Sequence, residues 1–153
     1  MQRQDLIKKL SIGDIDKFKT LVILFNEIFE SEPDKIPCDD YLINLLANPD
    51  FVAFVLMVDG SVMGGLTAYI LPKYYSEGAE LFLYDVAIHP DIQRQGHGKE
   101  LIHAVKQYCL DHNIADMFVD AHADDIHALE FYQNTGGKGD KTFQFSYKIT
   151  HNS

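Results

Sequence analysis

The residue types that could do chemistry concentrate in one stretch, Ile88-His89-Pro90-Asp91-Ile92-Gln93-Arg94-Gln95-Gly96-His97-Gly98-Lys99. It closes an apolar run, turns, and opens a helical pattern on two glycines spaced by one residue. Glycines at such a turn let backbone approach a ligand closely, and the first amides of a helix have no internal acceptors. Those amides and the helix dipole make an anion site, most naturally for a pyrophosphate. Arg94 and Lys99 add positive charge at the same place. The turn is not a dinucleotide-binding one, because Leu101 stands where a third glycine or alanine belongs and seven residues separate Ile88 from Gly96. A nucleotide-triphosphate loop is also excluded, since Gly-x-x-x-x-Gly-Lys-Ser/Thr is absent.

Other candidates carry less. Cys109 falls on the apolar face of a helix and reads as core rather than nucleophile. His122, Asp124, Asp125 and His127 are ligand types without a recognisable metal spacing, so no metal is expected. Tyr74-Tyr75 suits either stacking on a ligand ring or simple packing. Cys38 and Cys109 are too few for a disulfide framework, and no Cys-x-x-Cys pair is present. The chain carries 23 acids against 13 bases, a formal net charge of −10. That excludes a general nucleic-acid binder, which needs a basic surface. The acids are uneven: Glu27, Glu30, Glu32, Asp34, Asp39, Asp40, Asp50 and Asp59 face the single base Lys35 between residues 27 and 59. A field of that sign would attract a cationic small molecule. No apolar run reaches the roughly 18 residues of a membrane helix, and the polar start has no signal-peptide core, so a reduced, cytoplasmic protein is expected.

Elements must position these groups. With 153 residues, 46% of them hydrophobic, the chain suits one domain over its whole length, 1–153. Leu6 to Leu10 reads as a short first strand, with a turn and cap at Ser11 to Asp14. Ile15, Phe18, Val22, Phe25 and Phe29 recur at helical spacing on one face, and Pro33 to Pro37 ends that helix. Asp39-Asp40 is placed to cap a second helix carrying Tyr41, Leu42, Leu45 and Leu46, stopped near Asn48-Pro49. Phe51 to Val58 and Ser61 to Leu71 flank the hairpin signal Asp59-Gly60, and Glu80 to Ile88 is a third strand of an antiparallel meander. Leu101, Val105, Tyr108 and Cys109 line the helix after Pro90. Met117 to Ala121 then completes a parallel, right-handed β-α-β unit. Asp125 to Asn134 reads as a last helix and Lys141 to Ile149 as a last strand. The fold class is α/β (α+β), a mixed, mostly antiparallel sheet with one parallel pair, flanked by about four helices.

The glycine turn resembles the signature of the GNAT superfamily of acetyl-coenzyme A-dependent N-acetyltransferases, Gln/Arg-x-x-Gly-x-Gly/Ala after the fourth strand. Gln93, Gly96 and Gly98 meet it. A second element of that family, Ala-Leu-x-x-Tyr-x-x-x-Gly, appears as Ala128, Leu129, Tyr132 and Gly136, with Gly137 where a large apolar residue is usual. Ala68-Tyr69-Ile70-Leu71-Pro72-Lys73, Leu83-Tyr84-Asp85-Val86-Ala87 and Leu24-Phe25-Asn26-Glu27-Ile28-Phe29 are similar to aminoglycoside 3-N-acetyltransferases of the gentamicin-modifying type. The resemblance covers roughly residues 6 to 148.

What the resemblance implies can be stated residue by residue. Acetyl-CoA would lie in a splay between the strands 80–88 and 117–121, its pantetheine pairing with the backbone of Val86, Ala87 and Ile88. Its pyrophosphate would sit on the amides of Gln93, Arg94, Gln95, Gly96, His97, Gly98 and Lys99, and Asp125 is also expected in cofactor binding. An amine attacks a thioester only when neutral, so Asp85 is the expected general base, with a water relay as the alternative. Tyr132 would protonate the leaving thiolate, its phenol titrating near 10 and a thiol near 8.5. Glu30, Tyr84 and Asp85 are the expected substrate contacts. Strict alternation along a strand would point Tyr84 and Asp85 to opposite faces. The implied activity is acetylation of a polycationic amine, an aminoglycoside at its 3-amino group, with antibiotic resistance as the consequence. A polyamine, a protein amine or a non-catalytic acyl-CoA-binding role is the alternative. A homodimer is left open.

Overall fold

The computed structural model describes residues 5–32 and 34–150. The chain resolves into two compact units, Met1–Asp120 and Ala121–Ser153. The first holds a five-stranded sheet in the order β1-β2-β3-β4-β5, built from β1 (Asp5–Lys9), β2 (Phe51–Val58), β3 (Ser61–Pro72), β4 (Ala79–Ile88) and β5 (Ile114–Val119). Neighbours up to β4 are antiparallel, and β4 with β5 is the one parallel pair. The mixed sheet matches the expected fold class. β5 begins three residues earlier than its apolar run indicates and ends at Val119, and β1 starts at Asp5 and stops at Lys9.

Helix α1 (Ile15–Ile28) presents Phe18, Leu21 and Phe25 to the sheet, where they form one core with Leu42, Phe51, Ala53 and Val55. Ile15 and Val22 pack at its margin, as their spacing requires, whereas Phe29 caps the helix and is 46% exposed. A 3-10 turn, Ile12–Asp14, precedes α1. Asp14 fixes it: the Ser11 N–H and Oγ–H both donate to Asp14 Oδ2, at 2.9 and 3.1 Å, and Lys8 Nζ lies 2.7 Å from Oδ1. These partners lower the Asp14 carboxyl to about 2, with the Lys8 hydrogen bond the largest cause. Helix α2 (Asp39–Ala47) begins after Cys38, so Asp39 and Asp40 occupy its first turn rather than its cap. Pro33, one of the two prolines expected to end α1, lies outside the described residues.

Gly65 lets α1 approach the sheet. A Cβ there would strike the Phe54 carbonyl and come within 2.6 Å of Leu21 Cδ1. The opposite sheet face carries α3 (His97–Asp111), where Leu101, Ile102, Val105 and Cys109 are buried and Tyr108 packs edge-on against Phe54 at 6.1 Å. Burial pushes the Cys109 thiol up, consistent with a core role.

The second unit contains α4 (Ile126–Asn134), none of whose residues is buried. Asp125 Oδ1 accepts from the Ala128 N–H at 3.0 Å and caps it. Gly136 takes a positive φ of 101°, and the Gly137 N–H donates to Tyr132 O at 2.8 Å. A Cβ on Gly137 would come 2.9 Å from that same carbonyl, which explains a glycine in place of an apolar residue. The expected strand Lys141 to Ile149 is not formed. These residues have no regular structure and are exposed, because extended chain becomes sheet only on a partner's ladder. Among the described residues no helix is long and apolar enough to cross a membrane.

Candidate active site

The register of β3 against β4 carries the finding that bears most on chemistry. Thr67 pairs with Asp85 and Ala68 with Leu83, so Tyr84 is an extra residue, a β-bulge. Residues opposite each other on a ladder share a face. Asp85 therefore points with Thr67 and Ala53 toward α1 and α2, while Leu83 points with Ala68 and Val52 to the other side. Tyr84 stays with Asp85: its ring lies 5.6 Å from both Tyr69 and Phe82, and Phe82 pairs with Tyr69. This corrects the expectation that alternation separates Tyr84 from Asp85. The bulge breaks the period of two at that residue.

Asp85 is half-buried, and among the described residues its carboxylate has no hydrogen bond or ion pair. Desolvation alone raises its pKa above the ordinary carboxylate value. Tyr69 stands among the Tyr84 and Tyr41 phenols and the Asp85 carboxylate; burial first, then Tyr84, Tyr41 and Asp85, push its phenol up. Phe51 lies 5.3 Å from Tyr69, and Phe82 stacks on Phe118 of β5 at 4.8 Å, completing an aromatic wall across the sheet. Tyr41 and Tyr69 escaped sequence reasoning; their apolar neighbours marked only helix and strand, and the shared wall depends on register.

The β4–β5 pairing stops at Leu83 opposite Val119. From Tyr84 to Ile88, β4 keeps its β3 partner but has no strand on the β5 side among the described residues. Val86, Ala87 and Ile88 thus offer one free edge to an extended ligand.

The loop after β4 is held by its own residues. The Gln93 side-chain amide donates to Ile88 O at 3.0 Å, His89 Nδ1 accepts from the Asp91 N–H at 3.1 Å, and the His89 N–H donates to Met63 O at 2.8 Å. Arg94 and Gly96 both take positive φ, 62° and 85°, which turns the backbone sharply into α3. Glu100 is the first helical amide with an internal acceptor, Gly96 O at 3.1 Å, so the amides of Arg94, Gly96, Gly98 and Lys99 precede the helical ladder. The positive φ is what favours glycine at 96, and the space beside its Cα is open, with nothing within 4 Å of a Cβ placed there. Gln95 is exposed, and His97 is buried, with Nδ1 3.9 Å from Glu100 Oε1. This donor set, with the Arg94 and Lys99 cations, fits a polyphosphate. An open depression lined by Ile7, Gly96, Lys99, Glu100, His103 and Ala104 continues from the loop on the α3 side, away from the face that carries Asp85.

The remaining expected residues fall elsewhere. Asp125 and Tyr132 belong to the second unit, the first as the α4 cap and the second on α4 with its ring 5.2 Å from Phe131. Glu30 is exposed just beyond α1 with φ 56°. The acids of 27–59 do not form one free cluster. Asp39 pairs with Lys19 at 3.0 Å, Glu32 pairs with Lys35 at 2.7 Å, and Asp59 sits in the β2–β3 hairpin.

A mixed sheet whose parallel pair parts beside a bulge, followed by an amide-rich turn into a helix, gives a frame that can hold an extended, anionic ligand. The chain belongs to the acetyltransferase (GNAT) family, which it matches over residues 18–136. It is similar to an aminoglycoside acetyltransferase from an uncultured soil metagenomic sample, solved in complex with sisomicin. The two are 35% identical with a TM-score of 0.92, over 95% of this chain and 97% of that one. A second aminoglycoside acetyltransferase from an uncultured soil metagenomic sample is 26% identical, with a TM-score of 0.90 over 96% and 99%. An aminoglycoside N-acetyltransferase in complex with CoA shares the fold at 18% identity and a TM-score of 0.78, over 97% of each chain. No curated protein matches the sequence.

Proposed function

We propose that this protein is a single-domain, cytoplasmic, acetyl-CoA-dependent N-acetyltransferase whose acceptor is an amine of a polycationic small molecule, an aminoglycoside at its 3-amino group. The observation that carries the reading is Asp85: a half-buried carboxylate without a hydrogen bond or ion pair among the described residues, set on an aromatic wall where the β4–β5 pairing ends. A carboxylate left so has one evident use, to meet an incoming cation. The similarity to an acetyltransferase solved with sisomicin supports an aminoglycoside as that cation.

Acetyl-CoA, when bound, supplies an acetyl group activated as a thioester. The amides of residues 93–99, with Arg94 and Lys99, would hold its pyrophosphate, and the free edge of Val86 to Ile88 would align its extended arm. Asp85 attracts the ammonium of the acceptor and takes its proton, directly or through water, leaving a neutral amine. Its raised pKa brings the carboxylate closer to the proton it must accept. Tyr84 bounds the acceptor beside Asp85, and Glu30 contributes a second negative charge. Tyr132 is proposed, from the family resemblance, as the residue that would donate a proton to the departing sulfur.

The test is thiol release from acetyl-CoA with a panel of aminoglycosides, spermidine and lysine-containing peptides, followed by NMR assignment of the acetylated nitrogen. Turnover of aminoglycosides with acetyl on the 3-amino group is the expected result. Acetyl at another position would correct the regiochemistry. Turnover of spermidine alone would transfer the function to polyamines.

A further inference from the structure

Among the described residues three polar or charged side chains are buried, Asp14, His97 and Thr67. Asp14 is accounted for by Ser11 and Lys8, and His97 opens α3 beside Glu100. Thr67 has no such account. It stands in β3 at 9% exposure, and its hydroxyl has no hydrogen-bond partner among the described residues. A hydroxyl taken out of water without a hydrogen bond destabilises the fold, so buried hydroxyls are ordinarily paired.

The ladder decides which partner is within reach. Thr67 is flanked by Ala53 on β2 and by Asp85 on β4, all three on the face toward α1 and α2. Along β3 the same face continues with Gly65, which has no side chain, and with Tyr69, whose phenol lies at the far end of its ring. Asp85 is thus the polar neighbour of Thr67. Residues directly opposite have Cβ atoms about 4.5–5.5 Å apart, close enough for a threonine to bond across the strands after rotation about χ1 alone. The Tyr84 bulge creates this pair: extending the pairing of Ala68 with Leu83 without a bulge would set Thr67 opposite Tyr84. Burial is the one cause that moves the Asp85 carboxyl, so no charged side chain of α1, α2, β2, β3 or β5 acts on it among the described residues. The titratable groups in the same corner are the phenols of Tyr69 on β3, Tyr84 on β4 and Tyr41 on α2.

We propose, on the reading of Asp85 as the base, that Thr67 is its positioning residue: the Thr67 hydroxyl donates to one carboxylate oxygen of Asp85 across the β3–β4 ladder and leaves the other oxygen to the acceptor amine. The hydroxyl keeps its own hydrogen, and the proton of the ammonium goes to the oxygen that Thr67 leaves open. A donor to the ionised form favours that form, so Thr67 holds back part of the rise that burial imposes on the carboxyl. It also fixes the direction in which the carboxylate meets the amine.

Thr67→Val keeps the shape and removes the hydroxyl. NMR titration of the Asp85 carboxyl in the full chain should reach its midpoint about one pH unit higher in this variant, the order expected for a hydrogen bond to a charged group. Thr67→Ser should restore the wild-type midpoint. With sisomicin as acceptor, the acid limb of kcat should move up by the same amount. The variant should then run about tenfold below wild type on the limb and recover as pH rises, whereas damage to the fold lowers the rate at every pH. Thr67→Ala gives the same titration test if the valine variant fails to fold. An unmoved Asp85 midpoint in a folded variant, or a serine variant that keeps the valine midpoint, would overturn the positioning role. Wild-type chain that turned over no acceptor would sink the acetyltransferase reading instead, and the titration, which needs no turnover, would still decide whether Thr67 and Asp85 are paired.

Discussion

At the residue scale, Asp85 combines exposure to an incoming amine with a shortage of solvent. Burial raises its pKa, so its carboxylate is lost as pH falls through that raised value. The rate against pH should therefore fall on the acid side, and Asp85→Asn should remove that limb while lowering kcat by about 10² to 10⁴. Acetyl-CoA affinity should change little, because the coenzyme is anionic and gains nothing from a carboxylate. Stability runs in the opposite sense. A raised carboxyl pKa means that the folded state holds the proton more tightly, so this group costs stability as pH rises past its unfolded value. Asp85→Asn should then melt at or above the wild-type temperature at pH 7, which calorimetry reads directly. An inactive variant that also melted well below wild type would make Asp85 a structural residue.

At the element scale, two devices set the site. The Gln93 amide ties the loop to the end of β4 through Ile88 O. Removing one such hydrogen bond costs about 0.5–1.5 kcal/mol. Gln93→Ala should therefore weaken acetyl-CoA binding roughly three- to tenfold by calorimetric titration, with the fold kept. The other device is the packing of α1 onto β3 across Gly65. Gly65→Ala drives a methyl group against the Phe54 carbonyl and Leu21, an overpacking worth about 1–3 kcal/mol, readable as a lower urea midpoint. Asp14 gives the same region a pH signature. Its lowered pKa contributes stability that is complete above the unfolded value near 3.8 and lost as pH falls toward 2. Acid unfolding of wild type but not of Asp14→Asn should show that component.

For the whole molecule, a net charge of −10 sets a long-range field that no single acid carries, and two of those between 27 and 59, Glu32 and Asp39, are paired with lysines. Capture of a polycation by such a field is screened over about 10 Å at 0.1 M salt. The KM of the amine should rise as salt is raised from 50 to 500 mM, and kcat should change far less. A KM indifferent to salt would assign capture to Asp85 and its aromatic wall alone.

The sequence by itself determined the local elements and the anion turn. Helical spacing from Ile15 to Phe25 named the face that α1 buries, and Asp59-Gly60 marked the β2–β3 hairpin. The pair Gly96 and Gly98 placed the turn into α3, because periodicity and φ demands are written in neighbouring residues. Three matters were left to tertiary structure. The bulge at Tyr84, which brings Tyr84 and Asp85 to one face with Tyr69, is a property of register between β3 and β4, and no single strand encodes its register. The acids of 27–59 read as one field in the chain but take different partners in the fold. The apolar alternation of 141–149 reads as a strand, yet the segment forms none. A strand also needs an edge to pair with, and the availability of an edge is outside the reach of local sequence.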